Sequence, residues 1–491
     1  LGGTTSAPYS SGEQNVAIGY QALDAFTTGD QNIAVGHTAL GAVTSGKGNI
    51  GIGYYANSRT TTGDYNISIG TEGYGSSGTR NITMGYRAMM TEHSLPYNIA
   101  IGHTALHYPG AGGSGYNIAI GDMSMYGGSA GGAASFNTAM GQRTLYSITA
   151  GIYNTAIGHQ SLYSMKSSTG NTALGAYAGY NQIGSGGTFI GYNAGYYTTG
   201  SHNTFVGNEA GKGGQTSAPF SSGKFNTALG SDALKGFTTG GYNTAIGRNA
   251  GLAITTANYN TFVGAWSGDG ITSAGYNTAV GFQSLSATSD GNFNVVVGHQ
   301  AGMSITSGDA NTLMGAYVGA SITTGLENIL MGRQAGTVIT SGNENSLVGS
   351  YAGRFLTIGI GNTSLGYQSL YQEDVGNYTT AIGWKSLYAQ NSDSDNENTF
   401  NVGVGYNTGY HNVTGRFNTL VGSEAGAGSS GNSYSFATAV GYKAGYSLTT
   451  AGVTAFGYEA ARSSTTGGGV HIGYHAGYSQ TTGNGNESVG D

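Results

Sequence analysis

A five-residue motif, Asn-x-Ala-(Ile/Val)-Gly, recurs about every 17 residues from one end of the chain to the other. The first copy occupies residues 15–19 and the last copy residues 486–490. A repeat this short is too small for a helical hairpin and matches one coil of a β-solenoid, in which each coil buries its apolar side chains against its neighbours. This period constrains the fold more than any other feature of the sequence.

Twenty-eight copies can be aligned on their last residue, which we call the motif glycine. The residue before it is apolar in all copies, and the residue four positions before it is asparagine in 23 of the 28. A small residue usually follows three positions after the motif glycine, and the next position often holds Leu, Met or Gly. Representative residues of the repeat are Ile18, Gly19, Asn32, Val35, Gly36, Asn243, Ile246, Gly247, Asn277, Val280 and Gly281.

Side chains within the motif alternate between two faces, as they do in a strand. We predict that the apolar residue before the motif glycine points inward and forms a continuous inner stack. The motif glycine and the small residues mark close approaches of the backbone, and the asparagines are expected to form a ladder of side-chain amides. Each coil should contain two short strands and two turns. The fold class is therefore all-β, a parallel β-solenoid of about 28 coils, forming one elongated domain over residues 1–491.

Composition excludes several classes of protein. Glycine accounts for 92 of 491 residues without a Gly-X-Y period, which excludes collagen. The apolar position never slips in register, which argues against disorder. Only 8% of residues are charged, with a net charge of −7, so no nucleic-acid partner is expected. The chain has no cysteine and no run of 18 apolar residues, so neither disulfides nor membrane insertion is expected. Because it begins with Leu1, we expect a fragment or a processed product.

The sequence also contains a repeat that is much longer than one coil. Residues 5–12 recur, with one Tyr-to-Phe change, as residues 216–223. We infer that the array was extended by copying a block of about twelve coils, approximately residues 1–211 and 212–422.

The motif and its flanking residues, as in residues 243–250 (Asn-Thr-Ala-Ile-Gly-Arg-Asn-Ala), resemble the head repeats of trimeric autotransporter adhesins, the YadA-like head. The longer pattern in residues 154–163 is similar to repeat-rich tail fibres of bacteriophages. The adhesin resemblance implies a left-handed β-roll in a homotrimer, intertwined or side by side, with one turn lengthened in this chain. The need for partners follows independently from the narrow coil, which cannot cover its own apolar surface.

Two groups of residues are candidate metal ligands. The first comprises histidines that directly follow a motif glycine: His37, His103, His159 and His299. One such position on a threefold axis would offer three imidazoles, but we favour a packing role because no copy adds a second ligand. The second group lies at alternate positions of an insertion: Asp393, Asp395 and Glu397. Calcium suits such carboxylates, but without an EF-hand signature we favour a solvated acidic loop. No metal or cofactor is therefore predicted.

The 36 tyrosines have two interpretations, which the sequence leaves open. Exposed rings can stack on sugars, or rings of neighbouring coils can stack on one another. Insertions that break the period are candidate binding loops because loops on a rigid scaffold often carry function, although such loops can also be merely tolerated. The insertions are residues 107–116, 126–136, 211–225, 388–399 and 426–436.

We find no Ser/His/Asp grouping, nucleophile elbow or phosphate loop, so we predict no catalytic residues and expect no enzyme. The leading hypothesis is an extracellular structural and attachment fibre. Its most favoured form is the shaft of a bacteriophage tail fibre that binds host-cell-surface carbohydrate through many weak contacts. The alternatives are a trimeric adhesin head on a bacterial surface that binds host matrix or other cells, a structural extracellular filament, and a polysaccharide-degrading fibre with paired carboxylates. The partner of an attachment fibre is expected to be cell-surface carbohydrate or a surface protein.

Overall fold

The computed structural model of the chain describes residues 10–73, 78–90, 95–107, 115–127, 132–215, 220–395, 397–431, 433–465, 467–481 and 483–491. Internal contacts divide the chain into two compact units, Leu1–Asn243 and Thr244–Asp491, and each unit is described by itself. Both are parallel β-solenoids with about 17 residues per turn, and the described residues contain 28 strands and no helix. The predicted fold class is confirmed at this level.

The strands are all three residues long. In the first unit they are β1 (Val16–Ile18), β2 (Ile33–Val35), β3 (Ile50–Ile52), β4 (Ile67–Ile69), β5 (Ile82–Met84), β6 (Ile99–Ile101), β7 (Ile118–Ile120), β8 (Thr138–Met140), β9 (Thr155–Ile157), β10 (Thr172–Leu174), β11 (Thr188–Ile190), β12 (Thr204–Val206) and β13 (Thr227–Leu229). In the second unit they are β14 (Thr244–Ile246), β15 (Thr261–Val263), β16 (Thr278–Val280), β17 (Val295–Val297), β18 (Thr312–Met314), β19 (Ile329–Met331), β20 (Ser346–Val348), β21 (Thr363–Leu365), β22 (Thr380–Ile382), β23 (Val402–Val404), β24 (Thr419–Val421), β25 (Thr438–Val440), β26 (Thr454–Phe456), β27 (Val470–Ile472) and β28 (Glu487–Val489).

Within each unit, every strand pairs in parallel with the strand of the next coil. In β17 and β18, for example, Val296 is the partner of Leu313. Each described coil contains one strand, so our expectation of two short strands per coil is wrong. The remainder consists of turns whose backbone groups bond to the next coil, as Leu40 N does to Ala56 O at 2.9 Å. These turns cannot be strands because they contain residues in the left-handed region, such as Leu40 with φ of 50°.

The predicted alternation of side chains is correct, but the inward and outward faces are the reverse of our prediction. The middle residue of each strand points inward: Ala245 of β14 is fully buried, whereas Ile246 beside it is 36% exposed. The same residue before the motif glycine is 60% exposed at Ile18 and half-buried at Val35 and Val280. The reason is that the middle residue shares its face with the asparagine, whose amide is buried and hydrogen-bonded inside the coil. The intervening residues must therefore point outward.

The asparagine ladder is confirmed, and its side-chain amides are buried inside the coil, as at Asn32 and Asn49. The Nδ2 of Asn49 donates to Asn32 Oδ1 of the preceding coil at 3.1 Å and to Gly63 O, fourteen residues further along the chain, at 2.8 Å. The backbone N–H of Asn49 donates to the same Asn32 oxygen at 2.9 Å. The second unit has an equivalent column, in which the Asn277 N–H donates to Asn260 Oδ1 at 2.9 Å. The side-chain amide of Asn49 is thereby satisfied, as buried polar groups require.

The motif glycine permits the close stacking of successive coils, as predicted. Gly36 has φ of 136°, and a Cβ atom at this position would lie 2.4 Å from Gly53 O of the next coil. Any side chain would therefore collide with backbone in a conformation that favours glycine.

Two interior positions vary together, a relation that the repeat motif alone does not predict. They are the middle strand residue and the residue four positions after the motif glycine. Where the second is Leu, the first is small, as with Ala34 and Leu40, both fully buried. Where the middle strand residue is large, the residue four positions after the motif glycine is itself glycine. A Cβ on Gly268, for example, would lie 2.6 Å from the Phe262 ring. No described coil places a large apolar side chain at both positions, because the interior has one fixed volume to fill.

A third interior position lies seven residues after the motif glycine. It holds fully buried aliphatic or aromatic side chains in many coils, among them Val43, Ile148, Met165, Phe237, Ile254, Ile271, Ile305, Ile322, Ile339 and Leu356. Burial of each such side chain contributes about 1.5–3 kcal/mol to folding. The core of each unit is therefore built from turn residues as much as from strand residues.

Candidate functional site

The outward face of the strands is the most extensive candidate surface. The first and third residues of successive strands form two parallel columns on this face in each unit. Large apolar side chains in these columns are at least 36% exposed at Ile18, Val16, Ile33, Ile52, Ile69, Met84, Met140, Leu174, Leu229, Ile246, Val295, Met314, Ile329, Leu365, Phe456, Ile472 and Val489. Contiguous exposed apolar surface of this kind marks an interaction site on a soluble protein.

Stacked aromatic rings form a second kind of surface, at the turn residue that precedes the asparagine. In the first unit the stack runs through Tyr97, Tyr116, Phe136 and Tyr153, with ring centroids 4.8–5.2 Å apart. In the second unit Tyr259, Tyr276 and Phe293 stack at 5.0 and 5.1 Å. These rings are exposed at their edges, while their faces contact one another.

A further stack lies five residues after the motif glycine. His107, Tyr126, Tyr146, Tyr163, Tyr180 and Tyr196 follow one another at 4.8–5.2 Å, with no two neighbouring rings more than 15° from parallel. In the second unit Tyr371, Tyr388 and Tyr410 repeat the arrangement. Of the two interpretations of the tyrosines, stacking between coils is confirmed for these residues. Their ring faces within a stack are covered and do not offer a platform for a sugar.

The four histidines that follow a motif glycine take part in packing within the chain. The His37 ring lies between Tyr20 and Tyr54, at 5.1 and 5.2 Å. His103 stacks on Tyr86 and contacts Asp122 Oδ1 through Nδ1 at 2.9 Å. Bonds from Gln142 and His103 lower the pKa of Asp122.

The other two histidines of this group also contact rings. His159 meets Tyr177 edge-on at 5.0 Å, and His299 stacks on Phe282 at 5.5 Å. Among the residues that the structure describes, no three His, Cys, Asp or Glu side chains form a group that could hold a metal ion.

The acidic insertion does not bring its three carboxylates together. Asp393 and Asp395 are exposed. Glu397 is engaged elsewhere: its Oε1 forms an ion pair with Arg416 at 2.6 Å, and its Oε2 accepts a hydrogen bond from the Asp393 N–H at 3.1 Å. The geometry favours the solvated loop over the calcium site.

The five insertions are described only in part, since residues 108–114, 128–131, 216–219, 396 and 432 lie outside the described residues. The insertion over residues 426–436 contributes a buried side chain to the core. Tyr434 is buried, and its O–H donates to Gly426 O. Burial raises the pKa of this phenol. The side chain occupies space that Gly426 leaves free, since a Cβ there would lie 2.6 Å from Tyr434 Oη.

One buried carboxyl group in the second unit escaped the sequence analysis. Glu373 lies seven residues after a motif glycine and is fully buried. Its Oε1 accepts bonds from the backbone N–H groups of Gly376 at 2.7 Å and Ser392 at 3.2 Å, whereas its Oε2 has no hydrogen-bond partner. Burial raises the pKa of Glu373. The sequence signal for this group is a glutamate at a position that is aliphatic in many other coils, seven residues after the motif glycine. It was missed because this position was not recognised as interior.

Comparison with protein-family models, with curated proteins and with solved structures finds no match for this chain. Within the described ranges, the structure contains no helix of the length and apolarity needed to cross a membrane.

Proposed function

We propose that this chain is part of a homotrimeric extracellular attachment fibre, of which the shaft of a bacteriophage tail fibre is the leading example. The motif resemblance supports this proposal, and so does the low content of charged residues, 8% of the chain, which suits a surface that is largely covered by other copies.

The observation that carries the proposal is the outward face of the strands, where the column of third residues is apolar in every described strand and the column of first residues is mostly Thr, Ile and Val. These columns repeat once per coil at the parallel strand spacing of about 4.8 Å. A second copy of the chain presents the same columns at the same spacing, so identical coils can pack in register along their length. The partner that fits this face is therefore another copy of the chain, and the number three comes from the resemblance. Attachment would then result from many weak contacts to cell-surface carbohydrate or protein, added together by their common scaffold.

Light scattering of the full chain in native buffer tests the assembly. The expected mass is three times the 49.7 kDa of one chain. A variant with Asp at three outward positions, Ile246, Met314 and Leu365, should lower the mass towards one chain and keep the circular dichroism spectrum. The matched control carries Asp at three exposed turn residues, Ser307, Thr324 and Ser341, and should keep the mass of wild type. A wild-type mass of 49.7 kDa overturns the trimer.

Attachment is tested separately. The fluorescently labelled wild-type chain should remain on cells of at least one species in a panel of Gram-negative and Gram-positive bacteria, and the dissociated variant should be washed away. Equal retention of both proteins, or retention of neither, contradicts the attachment function.

A further inference from the structure

The longest ring stack of the first unit ends at Tyr196, and this end differs from the interior of the stack. Tyr163 is covered on both faces, by Tyr146 and Tyr180, with centroids 4.9 Å away on each side. Tyr196 is covered by Tyr180 at 4.8 Å, but the next coil carries Lys212 at the corresponding position. No ring of this column therefore continues the stack beyond Tyr196.

Three further tyrosines surround this end of the stack and hold a cleft open. The Tyr177 ring lies at 83° to that of Tyr192 and at 55° to that of Tyr196. Tyr197 meets Tyr196 edge-on, at 75°. Because rings at such angles do not pack face to face, they leave a cleft of about 270 Å³. This volume lies just below the range of about 300–1,000 Å³ that is usual for drug-sized ligands, and it suits one sugar ring with its substituents.

Two polar side chains, Asn193 and Lys212, complete the lining, and Glu209 positions both. The Glu209 Oε1 accepts bonds from Lys212 Nζ at 2.8 Å and from Asn193 Nδ2 at 3.4 Å. Bonds from Lys212 and Lys235 lower the pKa of Glu209 to about 2, so this carboxylate is ionised at neutral pH. Lys235 also pairs with Asp232 at 2.9 Å. Two positive charges thus face two negative charges, and the cleft offers hydrogen-bonding groups without a net charge.

Tyr192, which is 54% exposed, lies beside the amide, ammonium and phenol groups of this cleft, and such a set can recognise a sugar, since an exposed ring packs against sugar C–H groups and the polar side chains bond its hydroxyls. We propose that this cleft binds one pyranose ring of a neutral polysaccharide. An acidic sugar fits less well because both lysines are already paired with carboxylates. The inference rests on the proposed attachment function and gives it a location in the chain.

Titration calorimetry of the full chain tests the proposal with tetrasaccharides of glucose, galactose, mannose and N-acetylglucosamine, and with one sialylated tetrasaccharide. At least one neutral tetrasaccharide should bind, and Tyr192→Ala should weaken its binding about tenfold or more. The matched control is Tyr276→Ala. Both tyrosines are 54% exposed, but Tyr276 is covered on both faces by Tyr259 and Phe293, so its loss should leave binding unchanged.

Lys212→Ala is the second variant, and it should also weaken binding while the circular dichroism spectrum stays that of wild type. Three results would overturn the proposal: no binding of any neutral tetrasaccharide, tighter binding of the sialylated one, or equal affinity of wild type and a folded Tyr192→Ala. Failure here is distinct from failure of the attachment function. A trimer that is retained on cells without binding these sugars contradicts the cleft alone, whereas a monomer that binds them contradicts the trimeric fibre alone.

Discussion

Two neighbouring stretches of the second unit fill the same interior positions in opposite ways. In residues 294–362, which we call the isoleucine run, the position seven residues after the motif glycine holds Ile305, Ile322, Ile339 and Leu356, all fully buried. In residues 363–434, which we call the polar run, the same position holds Glu373, Gln390 and Asn412, also fully buried. The coil geometry is retained in both, so the shape of a coil does not depend on an apolar residue at this position.

In the polar run, hydrogen bonds between buried polar side chains and backbone groups replace part of the apolar packing of the isoleucine run. The asparagine ladder of the polar run is interrupted at Thr379, whose N–H still donates to Asn362 Oδ1 at 2.9 Å. Beyond the interruption, Asn401 Nδ2 donates to Gln390 Oε1 at 2.8 Å and to Gly415 O at 2.7 Å. Glu373 and Gln390 are therefore retained with one side-chain oxygen bonded, while Glu373 Oε2 and Gln390 Nε2 have no hydrogen-bond partner, so these bonds offset only part of the cost of burying the polar groups.

The largest effect is expected from moving the acid into the isoleucine run. Ile322→Glu should destabilise its coil by roughly 4 kcal/mol, because it removes a buried aliphatic group and adds a carboxyl without donors. Gly376 N–H is available to Glu373, but the equivalent Gly325 N–H already donates to Thr340 O at 3.3 Å. Amide hydrogen exchange measures the loss of stability of this coil separately from the rest of the chain. Such a local measurement is needed because a repeat array need not unfold in one step. Ile322→Val, the matched control, should cost only about 1 kcal/mol; equal costs for both variants would contradict the account.

The next effect concerns the ladder itself. Asn328→Ala should cost about 2–3 kcal/mol, since it removes bonds to Asn311 Oδ1 at 3.0 Å and Gly342 O at 2.8 Å and leaves the Asn345 N–H without its acceptor. Thr379→Ala, at the same position of the polar run, should cost about 1 kcal/mol, because its ladder is already interrupted. Hydrogen exchange of the flanking coils gives both values, and a larger loss at Thr379 would argue against the ladder as the main polar support.

The smallest effect is the pH dependence of the polar run. Because burial raises the pKa of folded Glu373 above its unfolded value, the folded state holds the proton more tightly. The stability from that proton is fully present below the unfolded pKa of about 4.3 and is lost as the pH rises through the folded pKa, by about 1.4 kcal/mol per unit of difference. Exchange protection of the polar run should fall over this interval in wild type and stay level in Glu373→Gln. Parallel pH profiles for the two proteins would show that this carboxyl is not the cause.

The sequence predicts the coil period, the ladder at Asn49 and the close approach at Gly36 because each imposes one residue type at one position. It does not predict which face is inside. An invariant apolar residue such as Ile18 is as compatible with an interface between chains as with a core, and alternation alone has no direction. The position of Ile322 and Glu373 was missed because its residue type varies from coil to coil.

The candidate site shows a similar limit. The sequence shows which positions hold histidines and carboxylates, but it does not show which side chains these residues contact in the folded chain. The tyrosine cleft depends on the orientations of Tyr177, Tyr192 and Tyr197, which come from different coils or turns and which no periodic pattern encodes.

The inward position of the middle strand residue is tested most directly by one pair of neighbours in β18. Leu313 is fully buried and Met314 is 41% exposed. Hydrogen exchange over residues 311–332 should show that Leu313→Asp opens this coil, since it buries a charge, while Met314→Asp leaves protection close to that of wild type. If Met314→Asp opens the coil and Leu313→Asp does not, the aliphatic residue before each motif glycine is the interior one, and this account of the solenoid is wrong.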